Sequence, residues 1–219
     1  MTTLLIATRN AHKVAEIRAI LGARFQFLTL NDFPAAPKVV EDAATFAGNA
    51  TKKAVELAKW LVEKHRTSNI EHPTPNFVLA DDSGLEVDAL NGAPGVHSAR
   101  FAAVDSAKSG NTPDADNNAK LLRLLKDVAP EKRTARFRCV IALAEINPHS
   151  AIRTPHLFDG ACEGRIIFAP RGENGFGYDP LFVPTNFEQT FAELGEDVKN
   201  QLSHRAKALA KLKKFLTTK

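Results

Sequence analysis

Apolar residues along this chain fall into two alternating kinds of pattern. Short unbroken runs occupy residues 3–8, 25–30 and 77–80, and runs of that length bounded by turn residues predict buried strands. Between them, Val14, Ile17 and Leu21 recur at helical spacing within residues 13–21. Phe46, Ala50, Ala54, Leu57, Ala58 and Leu61 do the same over residues 45–65, predicting a long helix with one apolar face. Residues 85–90 alternate as a half-buried strand, and Asn91-Gly92-Ala93-Pro94-Gly95 is a strong turn. Asp116 is placed to cap a helix reaching about residue 128, with Leu121, Leu122, Leu124 and Leu125 on its apolar side. The longest strand prediction is 135–146. There Arg136 and Arg138 alternate with Phe137 and Cys139 before the pattern turns wholly apolar, as in a strand exposed at one end and buried on both faces at the other. A strand pair is predicted over 156–168, broken near Gly160 and Gly164, and Ser203 can cap a last helix over 204–215 with Leu209, Leu212 and Leu216 inward. Strands and helices interleave without a strict βαβ rhythm, which predicts an α/β fold with a mixed central β-sheet and flanking helices. Residues 66–76, with Pro73 and Pro75, predict an exposed mobile connection.

The most chemical stretch of this pattern is Asp81-Asp82-Ser83-Gly84, set directly after the apolar run 77–80. Gly84 permits a sharp turn, so the acidic pair is expected where a strand ends, the edge at which ligands collect in open α/β sheets. Adjacent carboxylates there can hold a hard cation such as Mg²⁺ or take a proton from water, or they can simply cap a turn. Between the first run and the first helix lies Thr8-Arg9-Asn10-Ala11-His12-Lys13. Thr8 or Asn10 can cap that helix, leaving first-turn N–H groups to face an anion, with Arg9 and Lys13 adding positive charge. Glu41 and Asp42 precede the long helix, where acids also complement the helix dipole.

Gly172 and Gly177 have Walker A spacing, but Tyr178 stands where that loop needs Lys, so a P-loop is excluded. What remains of this segment is a glycine-flexed loop carrying Phe176, Tyr178 and Asp179. Its rings suit either stacking on a planar base or anchoring the loop in the core. His204 and Arg205 fall in the first turn of the last helix and oppose its dipole, a locally unfavourable choice that points to a functional demand.

With 219 residues, 44% apolar and 25% charged, the chain has the composition of one globular domain, or one domain in two lobes. No run approaches the roughly 18 apolar residues of a membrane helix, and MTTLLIATRN is too short and too soon polar for a signal peptide, so a cytoplasmic location is expected. Cys139 and Cys162 are expected in the core rather than in a disulfide framework. The net charge of +4 rests on one terminal segment: residues 199–219 carry seven Lys or Arg and no acid, leaving 22 basic against 25 acidic residues before them. That distribution argues against a broad polynucleotide-binding surface.

Four segments, Thr8 to Lys13, Asp81-Asp82-Ser83-Gly84-Leu85, Phe176-Gly177-Tyr178-Asp179-Pro180 and Ser203-His204-Arg205, together resemble the noncanonical purine nucleoside triphosphate pyrophosphatase family, the inosine/xanthosine triphosphatases. They occur in the family's order, and the likeness extends along nearly the whole chain, including Gly92-Ala93-Pro94-Gly95 and Ser98-Ala99-Arg100. The resemblance implies a homodimer with a mixed sheet and two lobes around a nucleotide cleft, acting on purine nucleoside triphosphates rather than on nucleic acid or a membrane. It implies that Thr8, Arg9, Asn10, Ala11, His12 and Lys13 bind the triphosphate, Arg9 standing where the family often has Gly. It makes Asp82 the proton acceptor, Ser83 a substrate contact, and Asp82, Glu41 and Asp81 the Mg²⁺ site, with Asp42 an alternative to Glu41. Phe176, Gly177, Tyr178, Asp179, Lys199, His204 and Arg205 are implied to line the nucleotide pocket. Hydrogen-bond donors on Lys199, His204 and Arg205 would favour the 6-oxygen of inosine and xanthine over the amino group of adenine. The competing expectations are a house-cleaning pyrophosphatase for modified pyrimidine triphosphates and a nucleic-acid-binding module using the basic C-terminal helix.

Overall fold

The computed structural model describes residues 1–67, 75–104, 110–147 and 152–218. Its strands are β1 (Thr2–Ile6), β2 (Phe25–Thr29), β3 (Phe77–Val87), β4 (Thr134–Glu145), β5 (His156–Ile166) and β6 (Phe182–Pro184), and they form one sheet in the order β2-β1-β3-β4-β5-β6. β1 runs parallel to both β2 and β3, whereas β5 and β6 are antiparallel, so the sheet is mixed as the sequence pattern predicts. Parallel neighbours need crossover connections. Helix α1 (Ala11–Leu21) supplies the one between β1 and β2, and α2 (Phe46–Thr67) lies between β2 and β3. The other helices are α3 (Asp114–Leu124), α4 (Phe191–Leu202) and α5 (His204–Thr217).

The chain forms two compact units: Met1–Asp82, Val140–Asp159 and Ala208–Lys219 in the first, Ser83–Cys139 and Gly160–Lys207 in the second. In the first, the apolar face predicted for α2 is buried at all six positions, Phe46, Ala50, Ala54, Leu57, Ala58 and Leu61. Burying each large aliphatic side chain contributes about 1.5–3 kcal/mol. In the second, Phe137, Phe182 and Phe191 form an aromatic centre, with ring centroids 4.7 Å apart for Phe137 and Phe182 and 5.3 Å for Phe182 and Phe191. Cys139 and Cys162 are buried and free, and burial pushes the Cys162 thiol up to about 11.

Several boundaries differ from the pattern-based prediction, each for a visible reason. β3 does not end at the acidic pair but runs through Asp81, Asp82, Ser83 and Gly84 to Val87. Its pairing with β1 ends at Leu79, and hydrogen bonding to β4, its other neighbour in the sheet, favours continued extension over the turn preference of Asp and Gly. β5 is one strand rather than a pair. Gly164 sits opposite Pro184 on β6, and a Cβ there would collide with the Val183 carbonyl and the Phe182 ring. That glycine marks a close approach, not a break. α3 begins two residues before Asp116 and stops at Leu124, which is exposed. The unforeseen helix α4 opens on a capping box: Thr190 Oγ1 accepts from the Glu193 N–H at 3.2 Å, and Glu193 Oε2 accepts from the Thr190 N–H at 2.7 Å. Gly195, at φ 78°, interrupts its helical periodicity. Most of the predicted connection 66–76 lies outside the described residues.

Arg133 ties the far end of α3 to the sheet. Buried to 2% exposure, its guanidinium donates to the carbonyls of Leu125, Val128 and Ile167 at 2.5, 3.0 and 3.2 Å, and lies 3.7 Å from the centre of the Phe168 ring. Replacing it by Met takes three donors away: the Leu125 carbonyl keeps the Val128 N–H at 3.0 Å, and those of Val128 and Ile167 lose the guanidinium. Arg133→Met is therefore expected to destabilise the fold by about 3 kcal/mol, lowering Tm by about 10 °C in calorimetry.

Candidate active site

In the first unit the end of β1 assembles the chemistry. Register places Ile6 opposite Leu79, and the Ala7 N–H donates to the Leu79 carbonyl at 2.8 Å. There β1 stops while β3 continues, so Asp81 and Asp82 lie just beyond the parallel pairing. The sheet edge expected for them exists, but it is the end of their neighbour. The Asn10 side chain caps α1 by accepting the Lys13 N–H at 3.1 Å, and Thr8 Oγ1 accepts the Asn10 N–H at 3.1 Å. The first turn of α1 has no acid, and Arg9, Ala11 and His12 are exposed around it. A positive helix end flanked by basic side chains is a ready site for an anion.

Successive side chains on a strand point to opposite faces, and the two aspartates accordingly take different partners. Asp81, 2% exposed, accepts from Lys13 Nζ at 2.5 Å, while Lys53 Nζ donates to the Asp81 carbonyl at 2.9 Å. Asp82, 7% exposed, accepts from Asn49 Nδ2 at 3.1 Å. Burial pushes its carboxyl up to about 6. The charges of Lys13 and Lys53 and the Asn49 hydrogen bond pull it down, and the Glu41 carboxylate adds to the rise. Such a group is ionised at neutral pH yet basic enough to accept a proton. Glu41 pairs with Lys53 at 3.0 Å, whereas the exposed Asp42 turns to Lys52 at 2.7 Å, so Glu41 is the acid that faces this cluster.

In the second unit the glycine loop divides its two rings. Tyr178 is buried and its hydroxyl donates to the Ser98 carbonyl at 2.9 Å, which makes it the loop's anchor. Phe176 is only half-buried, with Lys199 Nζ 4.4 Å and Arg205 Cζ 5.9 Å from its ring centre. Asp179 Oδ2 accepts from the Phe176 N–H at 2.9 Å and from Lys199 Nζ at 2.5 Å. Arg205 donates to Ser83 Oγ at 2.8 Å, and His204 stacks on Phe137 with centroids 4.8 Å apart. Phe176, Asp179, Lys199 and Arg205 thus cluster, Gly177 lies in their loop, and Ser83 joins through Arg205.

Sequence reasoning missed Asn49 and Lys53. They lie one turn apart on α2, and both are buried beside its apolar stripe. Polar residues at i and i+4 on a face otherwise filled by Ala and Leu were the available signal. Asn49 also accepts the Ala43 N–H at 2.9 Å, so the Glu41 loop is fastened to α2 at the same residue that touches Asp82.

The first unit thus carries a positive helix end and a buried carboxylate beside lysines, and the second a cation-flanked ring on a glycine loop. The chain matches the model of the Ham1 family over residues 4–215 and belongs to that family. It is 48% identical to a protein of Desulforamulus reducens named dITP/XTP pyrophosphatase, covering 97% of this chain and 94% of that one. It is likewise 48% identical to a protein of the same name from Geobacter sulfurreducens, covering 99% and 97%. Among solved structures, a HAM1 protein of Coxiella burnetii is 37% identical with a TM-score of 0.80 over 100% of both chains. The Ham1 protein of Staphylococcus aureus is 34% identical with a TM-score of 0.78 over 99% of both.

The raised Asp82 carboxyl has a thermodynamic consequence. Between its ordinary value of 3.8 and about 6 the folded state holds the proton more tightly than the unfolded chain, so this group's contribution falls as pH rises through that window. Asp82→Asn is expected to stabilise the metal-free protein above pH 6 by up to about 3 kcal/mol, the gain vanishing below about pH 4. Urea unfolding of both proteins in chelator across that range measures it.

Proposed function

We propose that this protein hydrolyses noncanonical purine nucleoside triphosphates, inosine and xanthosine triphosphates and their deoxy forms, between the α and β phosphates to give monophosphate and pyrophosphate. The observation that carries this is the buried, proton-accepting Asp82 among Asn49, Lys13 and Lys53, in a chain aligned nearly end to end with relatives named dITP/XTP pyrophosphatase. Asp82 draws the proton from the attacking water. Thr8 to Lys13, at the positive end of α1, hold the polyphosphate, and Asp81 orients the Lys13 ammonium for it. Phe176 stacks on the base, Lys199, His204 and Arg205 supply donors toward its 6-oxygen, and Ser83 is held for the substrate by Arg205. Tyr178 and Asp179 keep the loop in place.

Among the described residues no group of three or more His, Cys, Asp or Glu side chains forms a protein cage for a metal. The donors that face one cluster, Asp82 with Glu41, suit Mg²⁺, an ion that takes one or two carboxylates and completes its shell with water and phosphate, while Asp81 is paired with Lys13. When bound it neutralises phosphate charge and lowers the pKa of water. We further assign a cytoplasmic homodimer that sanitises the nucleotide pool. Several cations of the basic C-terminal segment have local partners: Lys211 pairs with Asp159 at 2.7 Å, Lys207 donates to the Ala161 carbonyl at 2.8 Å, and Lys213 to that of Ile20 at 3.3 Å.

A panel of inosine, xanthosine, guanosine, adenosine, uridine and thymidine triphosphates incubated with Mg²⁺ tests the assignment. Pyrophosphate is expected from the first two, and from neither with Asp82→Asn, which still binds them; release only from the pyrimidines would move the protein to the competing class. Phe176→Ala is expected to raise KM about tenfold while kcat changes less, because stacking is felt alike by substrate and transition state. Steady-state kinetics with inosine triphosphate reads the split.

A further inference from the structure

We propose that Asp114 and Asn118 of α3 are positioning residues for the nucleotide: they hold both peptide groups of Gly177 and so fix the attitude of the Phe176 ring. Asp114 Oδ2 accepts the Gly177 N–H at 2.6 Å, and Asn118 Nδ2 donates to the Gly177 carbonyl at 3.0 Å. The two residues are i and i+4 on α3 and therefore share one face of the helix. Gly177 sits at φ 64°, and a Cβ there would meet nothing within 4 Å. Its glycine thus answers to backbone conformation rather than to space, and a segment so permissive needs outside bonds to stay in one shape.

Those bonds come from a fixed support. Asn117, between the two clamp residues, accepts from the Ala102 N–H at 2.8 Å and from the Thr112 hydroxyl at 2.6 Å, which fastens the start of α3 to the preceding segment. Asn118 is buried, and among the described residues its side chain bonds the Gly177 carbonyl while its Oδ1 has no partner. On the other side of Gly177, Tyr178 is anchored by Ser98, leaving the preceding residue, Phe176, as the half-buried element whose angle the clamp sets. A ring held in advance spares the nucleotide the cost of ordering it.

This inference rests on the proposed stacking role of Phe176, and the test separates the two. Asp114→Ala is expected to raise KM for inosine triphosphate about fivefold with kcat within about twofold, and Asp114→Asn, which keeps an acceptor oxygen, to restore it. In a Phe176→Ala background Asp114→Ala should add less than about twofold, because the two substitutions act on the same ring. Asn118→Leu, similar in size and without the donor, should reproduce the KM effect should Asp114→Ala fold poorly. Amide hydrogen exchange at Gly177 should quicken in each clamp variant but not in Asp114→Asn. An unchanged KM, or an equal rise in both backgrounds, overturns the inference. If the parent releases no pyrophosphate from any triphosphate, the stacking role falls instead, and unaltered Gly177 exchange in Asp114→Ala then overturns the clamp as well.

Discussion

The cost of holding carboxylates out of water governs this protein's chemistry. A carboxylate buried without a partner gives up its hydration and recovers it only by neutralisation or compensation. Asp81 is compensated by the Lys13 ammonium, and Asp82 only partly so, by an amide and by more diffuse charge. That inequality differentiates two adjacent, identical side chains. The one with a direct cation orients a lysine, and the one without has its carboxyl pushed up. Asn49 and Lys53 on α2 serve the same constraint, since their polar ends meet the acid cluster while the rest of that face fills the core.

The second unit solves the same problem in another way. Asp179 is 2% exposed, yet its carboxylate takes a lysine ammonium and a backbone N–H, and the lysine in turn lies over Phe176. A ring beneath a desolvated cation is electronically suited to a flat, polarised partner such as a purine. Charge pairing and the half-buried ring are therefore one arrangement, with Arg205 linking it to Ser83.

Much of this was legible in the sequence because it depended on short-range pattern. The apolar face of α2 and the exposed-to-buried gradient along β4 follow from periodicity, and capping chemistry narrowed the start of α1 to Thr8 or Asn10, of which Asn10 is the cap. What escaped was set by tertiary context. Asp82 and Gly84 favour turns locally but continue a strand of the central sheet past the end of β1, and Gly164 looks like a breaker until Val183 and Phe182 are seen against it. The capping box Thr190 to Glu193 was readable, but Gly195 obscured the helix behind it. Asn49 and Lys53 were hidden for a different reason: a polar residue on an apolar stripe announces a buried partner without saying which.

The deep placement of Cys139 and Cys162 also sets how the molecule can be handled. With the sulfur of Cys162 kept protonated across the physiological range, and that of Cys139 sealed inside, neither presents a ready nucleophile to maleimides or iodoacetamides. A single cysteine introduced on the surface would then carry a fluorophore or spin probe selectively, with no need to strip the native sulfurs and open voids in the packing.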